Sequence, residues 1–182
     1  AAKDVLSNFF GGMMVFLDKP FLVGDWIRSP DQDIEGTVEN IGWRVTRIRT
    51  FDKRPLYVPN SVFAQISIEN PQRMSHRRIY EKLGVRYDDF SQVEAICKDI
   101  ESMLKDHEDI DDNQTLMVNF NRFSDSSLEF FIYCFTHTTH WQTSHRIKQD
   151  ILVKVGAVVL SHGAQTQSIH IESQPEVPLS VK

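Results

Sequence analysis

Residues 4–25 leave this chain few ways to fold. They read Asp-Val-Leu-Ser-Asn-Phe-Phe-Gly-Gly-Met-Met-Val-Phe-Leu-Asp-Lys-Pro-Phe-Leu-Val-Gly-Asp. On a helical wheel Val5, Leu6, Phe9, Phe10, Met13, Met14, Phe16 and Leu17 fill one half. The other half holds Asp4, Ser7, Asn8, Gly11 and Gly12, with Val15 among them, where a surface helix would carry Lys and Glu. A glycine inside a helix costs about 1 kcal/mol relative to alanine, so the pair needs a compensating reason. Close approach of another backbone is one, as between packed helices with small residues at the contact. A tight fit in an ordinary core is the other. Lys19-Pro20 ends the helix, because the residue before a proline is pushed out of the α region. Gly24-Asp25 then turns the chain toward a sheet.

The chain has 182 residues, enough for one large domain or two small ones. No apolar run reaches the roughly 20 residues that cross a bilayer. Residues 9–17 come nearest and are interrupted by two glycines. The helix starts at Ala1-Ala2 with no cap, signal peptide or initiator Met, which leads to the expectation of a piece of a longer chain. Cys97 and Cys134 have no CxxC spacing, as in a reduced compartment. The net charge of −5 is uneven. Residues 1–19 and 20–75 balance, whereas residues 76–182 set eleven basic against sixteen acidic groups. Such a split separates two units and speaks against general nucleic-acid binding by the second.

After the helix, residues 21–28, 34–41, 43–51, 56–58 and 65–69 read as short strands separated by turn chemistry, the pattern of a small β-barrel. From residue 77 the texture changes. Residues 77–85 alternate as a strand, and Ser91-x-x-Glu94 is a capping box for a helix burying Val93, Ile96, Cys97, Ile100, Met103 and Leu104. Its outer face carries Glu94–Lys98 and Glu101–Lys105. Residues 115–123 and 127–136 form a hairpin. Thr139-x-x-Gln142 opens a long helix with Gly163 as its C′ residue, and residues 168–172 make a last strand. The order is βαββαβ, the ferredoxin-like arrangement, and the fold class is α+β. The tail, 174–182, is either disordered or a short strand completed by other subunits.

No catalytic constellation emerges, and the chain reads as no enzyme. GxSxG, HExxH, P-loop and GxGxxG are all missing. His137, His140 and His145 are the most metal-like group, but the last two sit far apart on a helix and a zinc site needs three or four converging ligands. The acidic run 106–113 fails the EF-hand pattern at its sixth and twelfth positions, which are Gln114 and Phe120 counted from Asp109, and Leu116 and Arg122 from Asp111. No metal or cofactor is expected. Arg44, Arg47, Arg49, Lys53 and Arg54, with Trp43, Phe51 and Tyr57 nearby, could track a single-stranded RNA. Glu35, Glu39 and Asp52 offset much of that charge.

Several short motifs occur together and in order: Leu6-Ser7-Asn8-Phe9-Phe10-Gly11-Gly12, Pro20-Phe21-x-x-Gly24-Asp25, Gly36-Thr37-Val38-x-x-Ile41, Arg49-Thr50-x-Asp52 and Val58-Pro59-Asn60-Ser61. On these the chain resembles the MscS family of mechanosensitive channels, and is most similar to its low-conductance members. Residues 76–172 agree in pattern more than in signature. The resemblance implies that 1–19 is the cytoplasmic end of the pore-lining helix, 20–72 an Sm-like β domain, and 73–173 the ferredoxin-like αβ domain. It implies a homo-heptamer in a bacterial inner membrane with this part on the cytoplasmic side, anchored in lipid by helices upstream of Ala1. The activity implied is tension-gated release of ions and small solutes on hypo-osmotic shock. Asp4, Ser7, Asn8, Gly11 and Gly12 would control repacking of the pore helix, and Asn8 would touch the β domain at Asn60 and Ser61. Lys3-Asp4 replaces a Gln-Gly bend of the family, and Ala164-Gln165-Thr166-Gln167 its proline-rich approach to the last strand. The rival readings are a soluble Sm-like RNA-binding module and a non-conducting structural ring.

Overall fold

A computed structural model describes residues 2–165, and the chain divides into two compact units at Met74 and Ser75. The strand expected at 168–172, the 174–182 tail and part of the 164–167 replacement lie outside the described residues. Among the described residues, no helix is long and apolar enough to cross a membrane.

The first unit opens with helix α1, Ala2–Asp18, running unbroken through Lys3-Asp4. Strands β1 Trp26–Ser29, β2 Ile34–Ile41, β3 Val45–Arg49 and β4 Pro55–Pro59 follow as an antiparallel meander in that order. The sequence ran β1 back to residue 21, but residues 21–25 form a turn. Gly24 takes a positive φ of 98°, and the Asp25 carboxylate accepts the Leu22 N–H. The strand expected at 65–69 shrinks to one bridge between Glu69 and Arg28. Pro59 does not simply stop β4: a one-turn helix, α2 Asn60–Phe63, follows it. Phe21, Ile27, Val38, Ile48, Val58 and Phe63 make the core, and Val15 of α1 reaches into it.

The second unit carries β5 Arg77–Val85, α3 Val93–Lys105, β6 Met117–Phe123, β7 Leu128–Thr136 and α4 Trp141–Ser161. Its sheet has the order β5-β7-β6, with β7 central and antiparallel to both neighbours. Alternate residues of β5 and β7 meet the buried faces of α3 and α4 in one core. This is the βαββα part of the expected order. Both i,i+4 pairs on α3 form, at 2.8 and 2.6 Å.

Two capping expectations fail. The Ser91 box is displaced by a 3-10 turn, Tyr87–Gln92, so Gln92 precedes α3 without a side-chain cap and Glu94 turns to Lys98 instead. At α4 the cap is His140, whose Nδ1 accepts the Thr143 N–H, not Thr139. Gly163 does take the left-handed φ of 71° just past that helix. Cys97 and Cys134 are free and buried. Burial pushes their thiols up to about 11 and about 12. In the folded protein neither will react with a maleimide at pH 7–8, whereas unfolding in guanidinium exposes both. Rapid labelling without denaturant would contradict this burial.

Candidate functional site

The contact between α1 and α2 in the first unit is the place where two of the quoted motifs, 6–12 and 58–61, meet. α1 turns its small-residue face to the β unit and leaves its apolar half-wheel bare, the reverse of an ordinary amphipathic helix. Gly11, Gly12 and Val15 are buried, while Phe16 and Leu17 are 72% and 66% exposed. The sequence offered the glycines a neighbouring helix or a tight core, and within this chain they meet α2. A Cβ on Gly11 would stand 2.5 Å from the Asn60 carbonyl oxygen and 2.8 Å from the Ser61 nitrogen. One on Gly12 would stand 2.7 Å from Asn60 Nδ2 and 3.0 Å from the Trp43 carbonyl oxygen. Any side chain larger than hydrogen forces these backbones apart.

Polar groups finish the joint. The Ser61 N–H, one of the free donors at the start of α2, donates to Asn8 Oδ1 at 3.1 Å. Asn8 Nδ2 donates back to the Asp4 carbonyl at 2.9 Å, which fixes the amide. Asn60 is fully buried. Its N–H donates to the Arg44 carbonyl at 2.9 Å, its Nδ2 to the Gly42 carbonyl at 2.7 Å, and its Oδ1 accepts the Thr46 hydroxyl at 2.8 Å. A buried asparagine thus pins α2 across the β2–β3 connection and holds its carbonyl against Gly11. Asn8, Gly11, Gly12, Asn60 and Ser61 are brought together. Asp4 lies one turn earlier on the same side and is exposed, as is Ser7 beside it.

The far end of α1 is clamped by Asn70 and Arg73, which the sequence did not single out. Lys19 adopts a positive φ of 49°, and the Arg73 guanidinium donates to its carbonyl at 3.1 Å. Asn70 Nδ2 donates to the Pro20 carbonyl at 3.1 Å and to the Asp25 carboxylate at 2.9 Å. Arg73 also pairs with Asp25, at 3.2 Å. Burial pushes the Asp25 carboxyl up, but the Asn70 amide, the Leu22 N–H and the Arg73 guanidinium outweigh it and hold it below its ordinary value. The stabilisation Asp25 gives is therefore complete above its unfolded value near 3.8 and is lost as pH falls through its lower folded value. Asp25→Ala will lower the melting temperature at neutral pH, and the gap to wild type will close only below pH 3.8. A gap unchanged down to acid unfolding would show that the carboxylate charge is irrelevant. Asn-Pro-Gln-Arg at 70–73 reads as a mere turn, so the nearest signal for this clamp was its position at the end of the β unit.

The other candidates disperse. Arg47 and Arg49 both close on Glu39, at 2.9 and 2.8 Å, and Arg54 pairs with Asp52 at 2.5 Å. Three of the five basic residues weighed as an RNA track, Arg47, Arg49 and Arg54, are thus turned onto carboxylates. His140 caps α4, His145 lies edge-on to Trp141, and His137 Nδ1 is 3.9 Å from Asp111. Asp111 accepts from the Asn113 N–H at 3.0 Å, as a loop aspartate does. Among the described residues no group of three or more His, Cys, Asp or Glu is arranged to hold a metal.

A helix joined by its glycines to a β meander is followed along the chain by a ferredoxin-like unit. The family model described as the mechanosensitive ion channel β-domain matches residues 4–73, and that of the MscS C-terminal region matches residues 82–166. The chain belongs to the MscS family of mechanosensitive channels. The low conductance mechanosensitive channel YnaI of Escherichia coli is 56% identical over 164 residues, 90% of this chain and 48% of that protein. An MscS family protein of Bacillus subtilis, YhdY, is 37% identical over 166 residues, 91% of this chain and 44% of its own length. Among solved structures, Arabidopsis thaliana MSL1 superposes with a TM-score of 0.85 at 26% identity, covering 93% of this chain and 60% of that one. The closed-state MscS of Helicobacter pylori superposes at 0.77 with 25% identity, covering 99% and 66%. The chain spans about half the length of the curated relatives it matches.

Proposed function

We propose that this chain forms the pore exit and cytoplasmic vestibule wall of a tension-gated channel, seven copies to a ring, in a bacterial inner membrane. The channel releases ions and small solutes on hypo-osmotic shock. Residues 1–19 end the pore-lining helix, 20–72 form the β domain and 73–173 the αβ domain, with lipid contact made by helices upstream. The observation that carries this reading is the inverted helix. Its small-residue face is fastened to its own β unit, so its apolar half-wheel is free to meet the equivalent helices of neighbouring copies.

Gating in this reading is a population shift. Tension favours the state with the larger in-plane area, and it acts only through that difference between states. The joint at Asn8, Gly11, Gly12, Asn60 and Ser61 is the element that must slide or hold when the helices repack. Gly12→Leu drives a side chain into Asn60 Nδ2 and the Trp43 carbonyl, and will shift the tension threshold. An unchanged threshold would remove the joint from the gating pathway.

The direct test is patch-clamp recording of the full-length protein in membranes lacking other mechanosensitive channels, under stepped suction. Discrete openings whose probability rises with tension support the proposal. Silence up to membrane rupture, with the protein shown to be present and assembled, overturns tension gating and leaves a structural ring or a channel opened by another stimulus.

A further inference from the structure

Two apolar patches of the second unit stand open, and they differ in kind. The first sits at the β6 edge of the sheet. The register of β6 slips between Phe120 and Arg122, and this bulge turns Phe120 and Phe123 to the same side. Tyr87 and Phe90, from the 3-10 turn, join them. Tyr87 stacks on Phe123 with ring centroids 6.3 Å apart, and Phe90 and Phe120 lie 5.9 and 5.1 Å from the same ring. Phe90 and Phe123 are 56% and 62% exposed. The Tyr87 hydroxyl donates to the Ser124 carbonyl and fixes the cluster to the hairpin. Asp88 and Asp125 flank it in sequence, exposed and without an ion pair among the described residues.

The second patch is the outer face of α4. Val153 and Leu160 are each 66% exposed, and Gly156 lies between them on the same face. A Cβ on Gly156 would meet nothing within 4 Å. A mid-helix glycine costs about 1 kcal/mol, and nothing among the described residues uses the space it leaves. Arg146 continues the stripe two turns earlier, exposed and without an ion pair among the described residues. α3 packs over β6, whereas α4 reaches β5 through the Lys148–Glu81 pair. One patch thus belongs to the β6 edge of the sheet, and the other to the helix that packs toward the β5 edge.

We propose that these patches fit each other between copies. The Phe90–Phe123 cluster of one copy seats in the Val153–Gly156–Leu160 notch of the next, with Asp88 and Asp125 facing Arg146. This rests on the ring reading above and supplies its surface in the second unit. Two different patches that complement each other make a heterologous contact, the kind that closes into a ring; one self-complementary patch would make a two-fold dimer. The missing Cβ at 156 lets an aromatic ring approach the helix backbone, and the opposite charges set the register.

Full-length protein carrying both Phe123→Cys and Gly156→Cys, in membranes and treated with a short bis-maleimide, tests the contact. A ladder of covalent multimers is expected on a denaturing gel, with no band above the monomer from either single variant. A second pair, Phe90→Cys with Leu160→Cys, covers the case in which the first misfolds. Adding Arg146→Glu will lower the ladder yield at least about tenfold, and Asp125→Arg will restore it. The mass of the detergent-solubilised protein is measured in parallel. A multimer by mass with no ladder from either pair overturns the docking surface and leaves the ring reading standing. A monomer by mass overturns both, and a dimer band from a single variant overturns the head-to-tail arrangement.

Discussion

Replacing Gly11 with alanine will destabilise the first unit, although alanine is the better helix former. The propensity gain is about 1 kcal/mol. Against it, the new methyl would stand 2.5 Å from the Asn60 carbonyl oxygen, 2.7 Å from its carbon and 2.8 Å from the Ser61 nitrogen. These atoms are backbone, so no rotamer change relieves the overlap, and α1 must lift off α2. Overpacking of this kind costs about 1–3 kcal/mol and occasionally more, and lifting the helix also stretches the Asn8–Ser61 bond and drags Val15 from the core. Unfolding in denaturant, followed by tryptophan fluorescence, should show a net loss of about 1–2 kcal/mol. Gly156→Ala is the control. Its Cβ meets open space, so the same substitution on α4 should raise stability by up to about 1 kcal/mol. Equal effects at the two positions would mean that α1 does not rest on α2 in solution.

The second large effect belongs to Asn60. Asn60→Ala strips the buried Thr46 hydroxyl of its acceptor and the Gly42 carbonyl of its donor, and leaves a void beneath α2. Unsatisfied buried groups cost about 1–3 kcal/mol each and the void adds to this, so a loss of roughly 2–4 kcal/mol is expected. Asn60→Asp separates hydrogen bonding from shape. A carboxylate keeps the Thr46 bond but sets a negative oxygen against the Gly42 carbonyl in a buried site. Burial and that carbonyl favour the neutral acid, so the introduced group's folded pKa lies above its unfolded one. Its penalty is therefore full at neutral pH and fades as pH falls through the raised value, where the acid proton can donate to Gly42. A penalty for Asn60→Asp that is independent of pH between 4 and 8 would show that the site is wet, and about 4 is the lower limit because ordinary carboxyls titrate there.

How much of this was legible depended on whether a signal was local. β2 at 34–41, β5 at 77–85 and the β6–β7 hairpin follow from β-branched and aromatic runs, and α3 was read with its buried positions because they repeat at helical spacing. The start of β1 was misplaced because Phe21, Leu22 and Val23 carry a strand's composition into a turn set by Gly24 and Asp25. Both capping boxes failed because a neighbouring residue offered the backbone another geometry, a 3-10 turn before α3 and the His140 imidazole at α4. On α1 the helical wheel separates the two faces correctly, yet composition alone suggests that the apolar half seeks cover first. What it omits is that two glycines admit a backbone that larger side chains exclude. The short α2 could not be read at all, since four residues after a proline carry no period. Its Asn60 and Ser61 entered only through the family resemblance.

The contacts along α1 are strung out like rungs. Asn8, Gly11 and Val15 follow one another at intervals of about 4.5 and 6 Å, set by the helical rise. A pull along the helix axis loads all three at once, in shear, and passes through α2 and Asn60 into β3. A sideways pull from the Asn8 end loads them in turn and peels the joint open. The same bonds thus make a stiff rod in one direction and a zip in the other, so the direction of a load, and not its size alone, decides whether helix and sheet move as one body.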